Sequence, residues 1–235
     1  MTDDDRTPRD APYWADHTTE LRVTDVADGG DPTPVEGRRI AGPLKGFGKM
    51  WQKTYRVRLE GADVTPEEVI DTWKERYEDF WPETATFFAP LAGVQPGEVA
   101  LISDRQPGGL TLSTGVFVLY ADERSFSFMT PEGHPFAGMI TFSSHEDDDG
   151  ITVAQIKALI RAQNPLVELT MAIYTHRKED QVWFHVLNAL AENFGVEGEP
   201  HKDVVCVDDK RQWEYFGNIR YDGVLHALLR PFRRP

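Results

Sequence analysis

The chain has 235 residues, 40% of them hydrophobic, so it is long enough to bury a sizeable core in one domain. Its formal net charge of −14 argues against general nucleic-acid binding, because a phosphate backbone is met by clustered lysine and arginine side chains. The single cysteine, Cys206, excludes an internal disulfide. The first residues lack a secretory signal, and no apolar run could span a bilayer. We therefore expect cytoplasmic residence, no nucleic-acid partner and no transmembrane segment.

Residues 1–45 are expected to form an acidic, largely disordered arm. Asp, Gly, Pro and Thr dominate this segment, and apolar residues are too sparse to offset the entropy lost on ordering the chain. Tyr13 and Trp14 are the exception, because two adjacent aromatic side chains in a polar segment could anchor the arm in a surface groove. The composition leaves both disorder and a docked strap open.

Alternating apolar and polar residues predict one strand early in the core and five more further along. The first covers residues 50–59, where Lys53 interrupts the apolar face. The later segments are separated by polar or glycine-containing turns, which favours antiparallel pairing. These strands are expected at residues 99–103, 111–120, 125–130, 138–145 and 151–161. Gly115 and Gly138 lie within or at the start of strands, where a missing side chain permits a bulge or bend that curls the sheet.

A helix is expected between the first strand and the others. Thr65, Pro66 and Glu68 supply an N-cap, a proline at the first helical position and a capping-box carboxylate. Apolar residues then recur at helical spacing, which predicts a helix over residues 66–80. A short second helix is expected at residues 84–88, after the Trp-Pro step that breaks the first one.

A long helical pattern over residues 166–194 closes the domain, with Gly195 placed as its C-cap. Residues 175–181 interrupt the apolar stripe with charges of both signs. This turn either lines a polar zone of a pocket or faces water, and the spacing of opposite charges favours a solvated turn.

The order of these elements resembles the START-like (SRPBCC) superfamily, whose helix-grip fold wraps a sheet around a C-terminal helix. Two short motifs add to the resemblance: the Gly-His-Pro strand connection within residues 130–138, and His176-Arg-Lys-Glu-Asp180 in the last helix. Both are similar to an uncharacterised bacterial branch, a domain-of-unknown-function family. The resemblance covers about residues 47–196 and implies an α+β fold in which a curved antiparallel sheet wraps a long C-terminal helix. We expect the START-like domain at residues 46–197.

The resemblance also implies a pocket for a hydrophobic ligand, since relatives include lipid carriers, plant hormone receptors and polyketide cyclases. We expect non-catalytic binding of a hydrophobic small molecule or lipid in an internal cavity, with no cofactor. The side chains expected to contact the ligand are Tyr55, Tyr120, Phe128, His134, Phe142, Ile173 and Arg177. Aromatic residues on strands also serve as ordinary core, and turn geometry alone also explains the surroundings of His134.

Two other classes of function stay open. A cyclase- or hydrolase-type enzyme would use His134 with Glu132 or Tyr55 as proton-handling groups in the same cavity. An interaction protein would instead have a filled core and an active tail surface. His176 and Asp180 lie one helical turn apart, but no third ligand stands at a metal-site spacing, so no metal is expected.

Residues 198–235 form a C-terminal extension that is too apolar to be a free tail. Residues 204–207 could add an edge strand, and Leu225, Leu228 and Leu229 lie in the apolar run that follows. Three arginines near the end give it local positive charge. We expect the extension to pack on the domain or form a homodimer contact, with a partner protein or an anionic membrane surface as alternatives.

Overall fold

The computed structural model describes residues 11–105, 111–170 and 176–222. Eight strands form its antiparallel sheet: β1 Met50–Arg58, β2 Ala85–Phe88, β3 Val99–Arg105, β4 Thr111–Ala121, β5 Ser125–Met129, β6 Phe136–Glu146, β7 Thr152–Ala162 and β8 His201–Asp208. The strand order within these ranges is β2-β3-β4-β5-β6-β7-β1-β8. β1 therefore pairs with β7, the last strand of the meander, and the later β8 is added at the edge beside β1.

Three α-helices are described: α1 Pro66–Glu75, α2 Pro165–Thr170 and α3 His176–Asn193. α1 begins with the capping box predicted from the sequence, in which Thr65 accepts from the Glu68 amide and the Glu68 side chain accepts from the Thr65 amide. It ends at Glu75, and a 3-10 segment, Tyr77–Phe80, continues the chain. No helix in the described ranges is long and apolar enough to cross a membrane.

α1 and α3 pack on the inner face of the sheet and share its main hydrophobic core. Trp73 of α1, Leu187 of α3 and Ile156 of β7 are all fully buried in this cluster. The predicted α+β helix-grip fold, a curved antiparallel sheet against a C-terminal helix, is confirmed. Residues 171–175, which the sequence places within one long helix, lie outside the described residues.

Two local predictions need correction. The segment expected to be a short helix is strand β2, because its side chains alternate between Ala85 and Phe87 facing inward and Thr86 facing solvent. The register irregularities in the described strands lie between Val118 and Tyr120 and between Met50 and Trp51 rather than at a glycine. Gly115 instead allows close strand packing, since a Cβ there would lie 2.4 Å from the Ala100 carbonyl oxygen.

Residues 11–45 cover the outer face of the sheet. Leu21 and Val35 are 1% and 0% exposed and pack against a second hydrophobic cluster that includes Phe117. A backbone bridge also joins Trp14 to Tyr120 of β4. The expectation of a largely disordered arm is therefore corrected for these residues, because their few apolar side chains are spaced to fill the outer face. Residues 1–10 lie outside the described residues.

The first part of the C-terminal extension packs back on the domain. The 3-10 segment Trp213–Tyr221 places the rings of Trp213 and Phe216 against Phe47. Asp222, which is 2% exposed, accepts a 2.7 Å hydrogen bond from the Asn164 amide. The apolar and basic residues at positions 225–234 lie outside the described residues. The domain division at positions 45 and 197 stays a prediction.

Candidate functional site: a cavity between the sheet and the C-terminal helix

An apolar cavity of about 370 Å³ lies between the inner face of the sheet and α3. The two-residue period of the strands turns alternate side chains of β4, such as Leu112 and Val116, toward it. Val182 and Trp183 of α3 close the opposite side. The other apolar side chains that line the cavity are Tyr77, Trp81, Ala85, Phe87, Ile102, Phe128, Phe136, Met139, Ile140, Ala158, Ile160 and Val167.

Polar side chains line the part of the cavity near the start of α3. The Lys178 ammonium group donates to both carboxylate oxygens of Asp104, at 2.7 and 2.5 Å. This ion pair joins β3 to α3 across the cavity, and both side chains are 22% exposed. Glu179 lies beside Lys178 and also lines the cavity. The walls of the cavity are thus largely apolar, with the charged side chains of Asp104, Lys178, Glu179 and Asp222 among them.

His134 brings an imidazole to the same cavity from the loop between β5 and β6. Its Nδ1 lies 3.0 Å from both the amide nitrogen and the carbonyl oxygen of Phe136, which fixes the ring orientation. Burial lowers the pKa of His134 to about 4, although the Glu179 carboxylate opposes the shift. The loop is held by Gly133, whose φ of +92° suits glycine and whose amide donates to Gln163. His134 is therefore a neutral hydrogen-bonding group at neutral pH.

A buried charge network joins β1 to α3 beside the cavity. The Lys53 side chain is 2% exposed and donates to Glu179 at 2.7 Å and to Asp180 at 2.9 Å. The Tyr55 hydroxyl donates to Asp180 at 2.6 Å, and Lys202 of β8 pairs with the other carboxylate oxygen. Since Lys53 and Glu179 satisfy each other away from water, the network fixes the rotation of α3 about its axis.

The network fixes the protonation states of Tyr55 and Asp180. Burial, with the nearby Glu179 charge, raises the pKa of Tyr55 far above its ordinary value, so the phenol stays a donor. Burial alone would raise the pKa of Asp180, but hydrogen bonds from Lys202, Tyr55 and Lys53 outweigh it and the pKa is lowered. Asp180 is therefore an ionised acceptor at neutral pH.

A second, polar cleft of about 460 Å³ lies on the other side of this network, next to β1 and β8. Among its lining residues, Lys53 and Lys202 are paired with the carboxylates named above, and Arg211 lies 3.0 Å from Glu168. Lys49 also lines this cleft, so its lining carries four basic side chains against the carboxylates of Glu168 and Asp180. No group of three or more His, Cys, Asp or Glu side chains suited to a metal ion is found in the described ranges.

A family model for a domain of unknown function, DUF1990, matches residues 67–186, which is more than half of the chain. The chain belongs to the DUF1990 family. The match spans α1, most of the sheet and the part of α3 that lines the cavity. The prediction that the chain belongs to a domain-of-unknown-function family is confirmed. No curated protein shows significant sequence similarity to the chain.

Solved structures similar to this DUF1990 protein have low sequence identity. Protein Ms6760 from Mycobacterium smegmatis is 13% identical and covers 74% of this chain and 98% of its own, with a TM-score of 0.44. A START superfamily protein from Mycobacterium smegmatis is 18% identical over 63% of this chain and 98% of its own, with a TM-score of 0.43. The di-domain ARO/CYC StfQ from the steffimycin biosynthetic pathway is 11% identical over 63% of this chain and 53% of its own, with a TM-score of 0.44.

The DUF1990 fold brings two of the residues predicted to contact a ligand into the cavity, Phe128 and His134. Tyr55 and Phe142 are 0% exposed within the main core and do not line it. Tyr120 contacts the rings of Tyr13 and Trp14 in the segment that covers the outer face. Arg177 lies on α3 but does not line the cavity, and Ile173 lies outside the described residues.

Sequence reasoning missed the polar region of the cavity. The charge spacing predicts a solvated turn at residues 175–181, yet the side chains of Glu179 and Asp180 are only 8% and 16% exposed. Lys53 could have predicted this burial, because a charged side chain on the inward face of β1 needs a buried partner of opposite charge. Trp81 and Trp183 also line the cavity, which the sequence analysis did not predict. Trp81 directly follows the helix expected at residues 66–80, and Trp183 lies within the helix expected at residues 166–194.

The proton-handling groups of the enzyme alternative have different partners in this structure. Glu132 is paired with Arg39 at 2.7 Å. The Tyr55 hydroxyl is bound to Asp180, and its raised pKa keeps it protonated. Of these three groups, His134 lines the cavity, and Glu132 and Tyr55 do not.

Proposed function

We propose that this DUF1990 domain binds a hydrophobic small molecule or lipid in the cavity without catalysing a reaction. The observation that carries the proposal is the apolar lining of a cavity of about 370 Å³, a volume within the range of small-molecule sites. The tightly packed core beside it, built around Trp73 and Phe142, shows that this fold can fill its interior with aromatic rings. Empty apolar volume is costly, which favours an occupant.

The polar region supports a ligand that carries one polar group on an apolar body. The Nε2 of His134 can hydrogen-bond to a polar group of the ligand, as donor or acceptor according to the ring tautomer, because its Nδ1 is engaged by the Phe136 backbone. Thr114, which also lines the cavity, offers a hydroxyl on the sheet side. Phe128 and Trp183 provide flat apolar surface near these groups. Among the residues predicted from sequence, Phe128 and His134 are the proposed ligand contacts. The cytoplasmic residence expected from the sequence stays a prediction.

Titration with an apolar fluorescent probe tests the proposal. Ile140 of β6 is half-buried and lines the cavity, so Ile140→Trp fills part of the volume without a large backbone change. Leu159→Trp is the matched control, because Leu159 is half-buried on a neighbouring strand and does not line the cavity.

We expect the wild type and Leu159→Trp to bind the probe alike, and Ile140→Trp to bind it at least about tenfold more weakly. Circular dichroism checks that each variant keeps its fold. Equal probe affinity in a folded Ile140→Trp variant, or no saturable binding by the wild type, would overturn the proposal.

A further inference from the structure

Three carboxylates line the cavity in the described part of the chain, and each already has a partner within the protein. Glu179 accepts a hydrogen bond from Lys53 over 2.7 Å. Asp222, which is 2% exposed, accepts one from the Asn164 side-chain amide, also over 2.7 Å. The third carboxylate belongs to Asp104 and is paired within the cavity itself. A cationic ligand would therefore compete with a donor already in place at each carboxylate.

Lys178 is the only lysine or arginine among the described residues that line the cavity. Its ammonium group donates to both carboxylate oxygens of Asp104, at 2.7 and 2.5 Å, and both side chains are only 22% exposed. The imidazole of His134 also lines the cavity, and burial keeps it neutral by lowering its pKa to about 4. Within the described ranges, an anionic ligand would thus find its counter-charge already occupied.

A charged headgroup is poorly balanced in such a cavity. Transfer of an ionised group from water to an apolar site is costly unless the group is paired there. A ligand carboxylate would meet three carboxylates and one lysine that already holds one of them. A hydroxyl or carbonyl group loses less on leaving water, and the side chains of His134 and Thr114 offer it hydrogen-bonding partners.

We propose that the cavity selects ligands whose polar group is uncharged, and that the ion pair between Asp104 and Lys178 enforces this selection. The selection rests on the proposed binding function and narrows the ligand class to an apolar molecule with a hydroxyl or carbonyl group, rather than a carboxylate or an amine. Asp104 is then a specificity determinant, because its carboxylate holds the place on Lys178 that a ligand carboxylate would take.

Displacement of the neutral dye Nile red by three ligands with the same alkyl chain tests the selection at about pH 7.5. Decanol carries a neutral hydroxyl group, whereas decanoate and decylamine are ionised at this pH. We expect decanol to bind the wild type at least about tenfold more tightly than either charged ligand. Equal or tighter binding of decanoate or decylamine would overturn the selection while leaving the cavity as a binding site. Absence of saturable binding of both Nile red and decanol would overturn the proposed function as well.

Substitution of the aspartate tests the role of the ion pair. Asp104→Asn leaves the Lys178 ammonium group without its carboxylate, so the ratio of decanoate affinity to decanol affinity should rise at least about tenfold. Adding Lys178→Met to this variant removes the freed charge and should return the ratio to near its wild-type value.

Asp148→Asn is the matched control for the loss of one negative charge. Asp148 is exposed in the turn between β6 and β7 and does not line the cavity, so this variant should keep the wild-type ratio. Circular dichroism checks that each variant keeps its fold, and the comparison of the three ligands on the wild type does not depend on any variant. A ratio in Asp104→Asn no higher than in Asp148→Asn, or a gain that persists without Lys178, would overturn the role of the ion pair.

Discussion

The buried ion pair between Lys53 and Glu179 gives the sharpest prediction about stability. Lys53→Met keeps the length of the side chain and removes its charge, so the Glu179 carboxylate, 8% exposed, loses its 2.7 Å partner. Removing one partner of a buried ion pair costs about 3–5 kcal/mol. Asp180 retains Lys202 and Tyr55 as donors, so we expect the lower end, about 3 kcal/mol, for the free energy of unfolding.

A double-mutant cycle separates the pair from other effects of the substitution. Glu179→Gln should cost about 1–2 kcal/mol, because Lys53 keeps Asp180 as a partner. The combined Lys53→Met and Glu179→Gln variant should cost about 1–2 kcal/mol less than the sum of the two single variants. Urea unfolding followed by circular dichroism supplies each free energy.

An exposed ion pair between β1 and β8 provides the control. Arg56 and Asp203 are 2.7 Å apart, but their side chains are 33% and 65% exposed. Truncating both to alanine in a parallel cycle should give a coupling energy below about 1 kcal/mol. A Lys53→Met cost below about 1 kcal/mol, or a Lys53–Glu179 coupling no larger than that of the exposed pair, would refute the argument that burial makes this network rigid.

Three further predictions test other parts of the structure. Because the pKa of His134 falls from 6.5 to about 4 on folding, the unfolded chain binds more protons between these pH values, and the wild type loses stability as pH falls from 6.5. In urea unfolding experiments, the free energy of unfolding of His134→Asn should change with pH less steeply than that of the wild type, by up to about 1.4 kcal/mol per pH unit. An identical pH dependence in the two proteins would contradict the burial of the neutral imidazole. Leu21→Ala, at a side chain 1% exposed, should lower the free energy of unfolding by about 2–4 kcal/mol, whereas a loss below about 1 kcal/mol would mean that the outer segment is only loosely attached. Thr65→Ala removes the α1 cap and should cost about 1 kcal/mol in the same assay, and Thr65→Ser should restore most of it; no loss would show that the capping box is dispensable.

The parts of the fold that follow local rules could be predicted from the sequence. The strands of the meander have a two-residue period and polar turns, and β3 to β7 begin and end within a few residues of the expected positions. The capping box at Thr65 and Glu68 also acts within one turn of helix, so its residues alone specify it. In each case the interactions that decide the structure are close in sequence.

The site depended on interactions between distant parts of the chain. Lys53 and Glu179 are 126 residues apart, and the spacing of charges within α3 alone favoured a solvated turn. The outer segment was missed for a related reason, since its overall composition is polar. Leu21 and Val35 are nevertheless placed where β3 and β4 leave an apolar outer face to cover. Average composition does not report such matching between segments.

Native mass spectrometry of the protein purified from its own host is the most direct test of the central claim. Our proposal predicts one apolar small molecule bound per chain, released by solvent extraction and absent from the Ile140→Trp variant, which partly fills the cavity. A wild-type protein that carries no such molecule, and that fails to take up lipids or aromatic probes added to it, would contradict the claim that this cavity is a binding site.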